Sequence, residues 1–166
     1  MILNADKNKI FIINFSQNYQ FIPRFRVPDA KNDLEVVSST KLVGITLTND
    51  LKFHVHVQNI VKNGNNKMWM LRHLKQFLFN QNDLIEIYTI FIRSRTEYCV
   101  PAWNASLTVE NKEDIERIQK TALRIILGET YENYDNALTV CKLETLEKRH
   151  EDLCLAFALK CTNHDI

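Results

Sequence analysis

The fold is decided within one stretch of the sequence, Lys41-Leu-Val-Gly-Ile-Thr-Leu-Thr-Asn-Asp-Leu-Lys-Phe-His-Val-His-Val-Gln-Asn-Ile-Val61. Its first eight residues are rich in β-branched side chains, which is typical of strands. From Asn49 onward the apolar residues recur at intervals of three and four, which is the period of a helix. The sequence therefore predicts a change from strands to helices near residue 50.

Upstream of this change the predicted strands are short. They are Lys9–Phe15, Phe21–Val27 and Leu34–Val37. Pro23 places the second of them at a sheet edge, because proline cannot donate to a neighbouring strand. Ser38-Ser-Thr40 separates Leu34–Val37 from Lys41–Thr48, and we interpret these two runs as a hairpin. Residues 1–50 are thus expected to form a small antiparallel β unit.

Downstream of the change, two long helices are predicted first. The apolar side of the first helix consists of Val57, Ile60, Val61, Gly64, Met68, Leu71 and Leu78. The run Asn63-Gly-Asn-Asn66 is a poor helix interior, so we expect a kink or a break there. The second helix is expected to begin with Asn82 as its cap and to end before Pro101.

Three more helices are predicted toward the end of the chain. They are Val109–Leu127, Tyr134–Cys141 and about Glu147–Cys161, with Gly128 as the residue that stops the first of them. Only 3 Gly and 3 Pro occur in 166 residues, which disfavours an all-β protein with many tight turns. The predicted class is α+β, mainly α, with a β unit at residues 1–50 and a helical bundle at 51–166.

A net charge of +1 conceals a gradient along the chain. Residues 51–128 carry eleven Lys and Arg against seven Asp and Glu, whereas residues 129–166 carry four against eight. No acidic residue lies between Asp50 and Asp83, and this span contains Lys52, Lys62, Lys67, Arg72 and Lys75. A local positive field of this kind favours a polyanion, although a solvated helix face explains the same charges.

Two sets of side chains are the candidates for binding nucleic acid. On the first helix the candidates are Lys62, Lys67, Arg72 and Lys75, together with Trp69. The Trp69 ring lies on the same side as Lys62, Asn66 and His73, where it would stack on a sugar or base or else pack on a neighbouring helix. On the third helix, Arg117, Lys120 and Arg124 form a stripe opposite the apolar face.

The arrangements that carry common enzyme chemistry are absent from the sequence. It has no Gly-rich phosphate loop, no G-x-S-x-G turn and no acidic pair at a strand end that would hold two metal ions. His150, Cys154 and Cys161 share a helix face but lack a fourth ligand, so we expect neither a metal nor a cofactor. With no secretory signal, no paired cysteines and no apolar run of about 18 residues, we expect an intracellular protein without a membrane span.

Five short phrases occur in order along the chain. They are Asn4-Ala-Asp-Lys-Asn8, Lys41-Leu-Val-Gly-Ile-Thr-Leu47, His56-Val57 with Lys67–Leu74, Ile92–Trp103, and Glu116-Arg-Ile-Gln-Lys-Thr-Ala-Leu-Arg-Ile-Ile-Leu-Gly128. In this order they resemble the end of the palm and the thumb of LINE-type reverse transcriptases, those of the jockey and CR1-like non-LTR retrotransposons. The match covers roughly residues 1–160. The departures are Asn8 in place of Ser or Thr, Leu42 in place of an aromatic residue, and the Asn63–Asn66 run.

This resemblance implies a set of roles. Lys7 would lie near the phosphates of the incoming nucleotide, the hairpin at Gly44 would touch the primer end, and the basic helices would hold the template–primer duplex. The catalytic aspartates of such enzymes precede the matched region, together with the rest of the palm and the fingers. We therefore expect no polymerase activity from this chain, and at most weak, non-specific binding of an RNA–DNA or DNA duplex.

Two other interpretations stay open at this point. The chain would instead be a helical protein-interaction module, or a transposon-derived protein without function. Residues 40–75 also resemble segments labelled as the N-terminal region of AlkB-type tRNA-modifying enzymes. An iron dioxygenase needs an H-x-D pair and a distant histidine as its triad, and we expect no H-x-D pair in this chain.

Overall fold

A computed structural model describes residues 8–15 and 34–163, which divide into two compact units between His56 and Val57. The strands are β1 (Lys9–Phe11), β2 (Glu35–Val37), β3 (Ser39–Leu42) and β4 (Ile45–Thr48). The helices are α1 (His54–Gln76), α2 (Gln81–Tyr88), α3 (Ser94–Thr96), α4 (Val100–Trp103), α5 (Val109–Leu127), α6 (Tyr134–Cys141) and α7 (Leu146–Asn163). The predicted α+β, mainly α class is confirmed.

The first unit contains two separate pairs of strands. β1 and β2 pair in parallel, with Lys9 opposite Glu35, and these two side chains form an exposed ion pair at 2.9 Å. β3 and β4 pair antiparallel, with Leu42 opposite Ile45. The strand predicted at Lys9–Phe15 ends at Phe11, and the one predicted at Phe21–Val27 lies outside the described residues.

The hairpin of the first unit is not the one predicted. Ser39 and Thr40 belong to β3, and the chain reverses at Val43-Gly44, inside the run that was interpreted as a single strand. Both turn residues have positive φ, 46° for Val43 and 86° for Gly44. Two-residue hairpins favour this conformation because its twist matches that of the strands, and glycine adopts it without steric cost.

Helix α1 runs without interruption from His54 to Gln76, so the break predicted as one alternative at Asn63–Asn66 is wrong. The reason lies in packing. Gly64 is buried against α5, where a Cβ would lie only 3.0 Å from Cδ1 of Ile118. Its missing side chain therefore allows α1 and α5 to approach closely, and the buried contact outweighs a low helix propensity. Leu78, placed on the apolar side from sequence, is past the helix end and 91% exposed.

Helix α2 begins two residues earlier than predicted. Its cap is Asn80, whose side chain accepts a hydrogen bond from the Asp83 amide at 2.9 Å, and not Asn82. A π-helical stretch, Thr89–Arg93, joins α2 to α3, which ends before Pro101 as expected. Buried Leu84, Tyr88 and Ile92 show that one side of this segment faces the helical core.

The predicted bounds of α5 and α6 are confirmed. Helix α7 begins one residue earlier and ends two residues later than expected. Thr108 caps α5 by accepting from the Asn111 amide at 3.2 Å, and Gly128 ends it with φ 60°. α5 supplies much of the core, through Ile115, Ile118, Gln119, Ala122, Leu123 and Ile126. None of the helices in the described ranges is long and apolar enough to cross a membrane.

Candidate nucleic-acid interface

The exposed face of α1 carries Lys62, Asn66, Trp69, Arg72 and His73, a set that we call the α1 basic face. Lys62, Asn66, Trp69 and His73 recur every three or four residues and so line one side of the helix, and Arg72 lies next to Trp69, three residues after it. No carboxylate occurs anywhere in the sequence between Asp50 and Asp83, so no acidic side chain of the helix offsets the two cations. This surface is the part of the second unit best suited to a polyanion.

Trp69 is exposed rather than packed against a neighbouring helix. Its side chain is 62% exposed, and its ring lies against that of His73 with 4.3 Å between centroids and 40° between planes. Of the two readings that the sequence left open for this residue, core packing is excluded. The indole is a surface group on a cationic helix.

Lys67 differs from its neighbours on α1 because it is half-buried and engaged within the chain. Its Nζ donates a hydrogen bond to the backbone oxygen of Phe91 at 2.7 Å, within the π-helical stretch where the regular helical bonding pattern is interrupted. Burial lowers the pKa of the Lys67 ammonium, and the positive charge of Arg95 lowers it further. Arg95 is exposed and was not among the residues singled out from sequence, although it lies in one of the quoted phrases.

Lys75 is also committed to the fold. Its Nζ donates to the backbone oxygens of Ile125 at 2.6 Å and Ile126 at 3.2 Å, in the last turn of α5. A cation there satisfies carbonyls that have no helical partner and complements the negative end of the helix. A side chain at position 128 would collide with this ammonium, so Gly128 serves the contact as well as the turn.

The charged groups of the α5 stripe, Arg117, Lys120 and Arg124, lie near the surface, and each of them contacts another side chain. Arg117 is 68% exposed and pairs with Asp114 at 2.7 Å. Lys120 is half-buried with its Nζ 5.1 Å from the centre of the Tyr134 ring, and Arg124 lies 5.5 Å from that of Tyr131. Exposed contacts of these kinds contribute about 1 kcal/mol or less, so a phosphate can replace them.

Two candidate residues precede the helical region. Gly44 lies in the exposed β3–β4 turn. Lys7 lies outside the described residues.

Sequence reasoning missed a polar network that explains much of the Glu116–Gly128 phrase. The Glu116 carboxylate accepts hydrogen bonds from the Tyr134 hydroxyl and from the first amides of α7, those of Leu146 and Glu147, both at 3.2 Å. Burial and the Glu116 contact hold the pKa of the Tyr134 hydroxyl above its ordinary value. Glu116 thus caps a helix that follows it by 30 residues, which no local pattern reveals.

Gln119 is the second member of this network. Its amide donates to the Tyr134 hydroxyl at 2.9 Å and to the Glu144 backbone oxygen at 2.8 Å, while its oxygen accepts from Tyr88 at 2.8 Å. Because Gln119 is fully buried, every one of these bonds replaces water that the fold has removed. Glu116 and Gln119 therefore serve the bundle rather than a ligand.

The tripeptide His150-Glu-Asp152 corrects one expectation, since it does have the H-x-D spacing of an iron-binding pair. It does not form one. His150 is buried with its ring edge-on to Trp103 at 5.4 Å, whereas Asp152 is exposed on the other side of α7. Within residues 8–15 and 34–163, no group of three His, Cys, Asp or Glu side chains is placed to hold a metal ion.

Burial has a measurable consequence at His150. It lowers the pKa of the imidazole to about 4, while the Thr96 backbone contact and Glu97 act in the opposite direction. Its Nε2 has no hydrogen-bond partner among the described residues. The adjoining cavity, lined by Lys112 and Glu147 among others, measures about 10 Å³, enough for one water and too small for a substrate.

We expect acid to destabilise the fold through His150. Because the folded-state pKa lies below the ordinary value of about 6.5, the unfolded chain takes up the proton first. The contribution of the neutral imidazole to the free energy of unfolding is complete above about pH 6.5. It falls as the pH decreases toward 4, and the loss is about 2 kcal/mol at pH 5. Urea unfolding from pH 7.5 to 5 measures the loss. His150→Gln should flatten this part of the profile. An unchanged profile in the variant would contradict the assignment, whatever its stability at pH 7.5.

No protein-family model, curated protein or solved structure matches the chain.

Proposed function

We propose that this chain corresponds to the palm end and thumb of a LINE-type reverse transcriptase, lacks its catalytic aspartates, and binds nucleic-acid duplex weakly and without sequence preference. The observation that carries the binding proposal is the α1 basic face, where exposed Lys62 and Arg72 flank an exposed indole on a helix without carboxylates. Exposed Arg117 and Arg124 on α5 add charge that is held only by weak contacts.

Phosphate contacts suit such a surface better than base-edge readout. Lys62, Arg72, Arg117 and Arg124 are long and exposed, and the contacts of Arg117 with Asp114 and of Arg124 with Tyr131 are weak surface contacts. Flexible cations of this kind suit phosphates better than the edge of a particular base. A hybrid of RNA and DNA is held mainly through phosphates and 2′-hydroxyls, which this arrangement can contact. Lys67 and Lys75 stabilise the fold next to the α1 basic face, since their ammonium groups donate hydrogen bonds to backbone oxygens.

The binding proposal is tested by fluorescence anisotropy with a labelled RNA–DNA hybrid of about 16 base pairs in 50 mM salt. We expect a dissociation constant in the micromolar range and similar affinities for two unrelated sequences, as in non-specific binding. Strong preference for one sequence would contradict the proposed mode of binding.

Catalysis is expected to be absent from the same protein. Two-metal phosphoryl transfer requires carboxylates that hold both ions, and no such pair is found in the sequence. A primer-extension assay with Mg²⁺, the hybrid and all four nucleotides should therefore give no product. Extension that persists in preparations free of contaminating polymerase would overturn this part of the proposal.

A helical protein-interaction module is the second candidate, and one feature favours it. Every residue of α7 from Leu155 to Asn163 is exposed, including Leu155, Phe157 and Leu159, each at 53% or more. Nine helical residues without tertiary packing are marginal by themselves. A folded chain that fails to bind the hybrid at tens of micromolar would favour this candidate over the first.

A further inference from the structure

Trp69 differs in its surroundings from Phe157, another exposed aromatic side chain. Phe157 is 55% exposed too, but it lies on α7 beyond Glu151 and Asp152, which repel a polyanion. Trp69 lies between Lys62, seven residues before it, and Arg72, three residues after it. At about 1.5 Å per residue, the cations flank the indole at roughly 10 Å and 4.5 Å along the helix axis.

The indole is also held in place. Its ring lies against that of His73, with centroids 4.3 Å apart, while 62% of the side chain stays open to solvent. A ring that is supported by a neighbour and still exposed offers a flat apolar surface with little conformational freedom to lose on binding. In water such a surface is unfavourable unless a ligand covers it.

The faces of bases in a duplex are already stacked, so an indole on a helix surface reaches them only at an end or in an unpaired segment. Phosphates flanking an unpaired base would lie within reach of the two cations. Stacking tolerates any base, because every base has an aromatic face.

We infer that the α1 basic face binds an unpaired nucleotide, whose base stacks on Trp69 while Lys62 and Arg72 contact the adjacent phosphates. The inference rests on the proposed nucleic-acid binding and makes it more specific, since it selects single-stranded segments or overhangs as the ligand of this face. It requires no bond-making step and no metal.

The test compares two single-stranded 12-mers with equal numbers of phosphates, oligo-dT and an abasic backbone of the same length. Oligo-dT should bind about tenfold more tightly, because stacking adds to a phosphate attraction that both ligands share. Indole emission should also fall on binding. The protein has two tryptophans and Trp103 is buried, so Trp69 is the one that a base can quench.

Two variants locate the effect. Trp69→Ala should equalise the two affinities and abolish the quenching, whereas Phe157→Ala, which also removes an exposed aromatic ring, should change neither. Equal binding of both 12-mers by the native chain, without quenching, would overturn the stacking inference and leave phosphate binding intact. A preference for oligo-dT that survives in Trp69→Ala would overturn it as well. Failure of both 12-mers to bind while the hybrid binds would also overturn the inference, whereas failure of all three ligands to bind would refute the proposed function.

Discussion

Reversing two charges on the α1 basic face should weaken binding of the RNA–DNA hybrid by about a hundredfold in 50 mM salt. The variant is Lys62→Glu with Arg72→Glu. Each phosphate contact contributes on the order of tenfold at this salt concentration through released counterions, and two contacts are lost. Both side chains are exposed and make none of the core contacts of α1, so the fold should survive. Anisotropy titration measures the loss.

A matched control separates a local effect from one of net charge. Lys148→Glu with Lys160→Glu changes the total charge equally, but the two residues lie on α7, in the acidic part of the chain. Lys148 gives up only an exposed pair with Glu144, which costs little. We expect this variant to lose far less affinity than the first. Equal losses would mean that overall charge, and not the α1 basic face, determines binding.

Replacing Gly64 by leucine should destabilise the second unit by about 2 kcal/mol. Even a Cβ at this position would lie 3.0 Å from Cδ1 and 3.1 Å from Cγ2 of Ile118, so three further carbons cannot be accommodated without separating α1 from α5. Overpacking of a filled core costs on the order of 1–3 kcal/mol, and the gain in helix propensity offsets less than about 1 kcal/mol of that. Urea unfolding followed by circular dichroism gives the difference.

The neighbouring position supplies the comparison for this substitution. Asn65 lies on the same helix and is exposed, so Asn65→Leu adds the same side chain without meeting α5. It should leave the free energy of unfolding within about 0.5 kcal/mol of the native value. If Gly64→Leu were equally neutral, the close approach of the two helices would be refuted.

These contacts also explain where prediction from sequence succeeded. α5 and α6 have the bounds expected of them, because their apolar periods agree with local capping signals such as Thr108 and Gly128. The break expected at Asn63–Asn66 was wrong because helix propensity is a local quantity. What keeps the helix intact there is Ile118, which is distant in sequence and contacts Gly64 across the interface.

The hairpin failed for a different reason. Ser38-Ser-Thr40 is a conventional polar connection, whereas the actual turn uses Val43, a β-branched residue at φ 46°. Side chains of that type rarely adopt positive φ, so composition gives no reason to place a turn there. Gly44 was the available signal, since a glycine inside a strand pattern indicates a tight bend.

Part of the candidate site was predicted correctly from helical periodicity. Helical spacing places Lys62 and Trp69 on one face, and both are exposed in the structure. The same spacing cannot tell that Lys75 reaches the end of α5, since that contact joins residues 50 positions apart. Periodicity therefore locates a charged face, while the partners of each charge depend on the tertiary fold.

The salt dependence of hybrid binding tests the central claim most directly. Anisotropy titrations of the native chain from 50 to 200 mM salt give the slope of log affinity against log salt concentration. For two to four phosphates neutralised by Lys62, Arg72, Arg117 and Arg124, we predict a slope of about −2 to −4, reduced by about 2 when Lys62 and Arg72 are reversed. No binding at tens of micromolar by a chain with a folded circular-dichroism spectrum, or a slope near zero, would contradict the account.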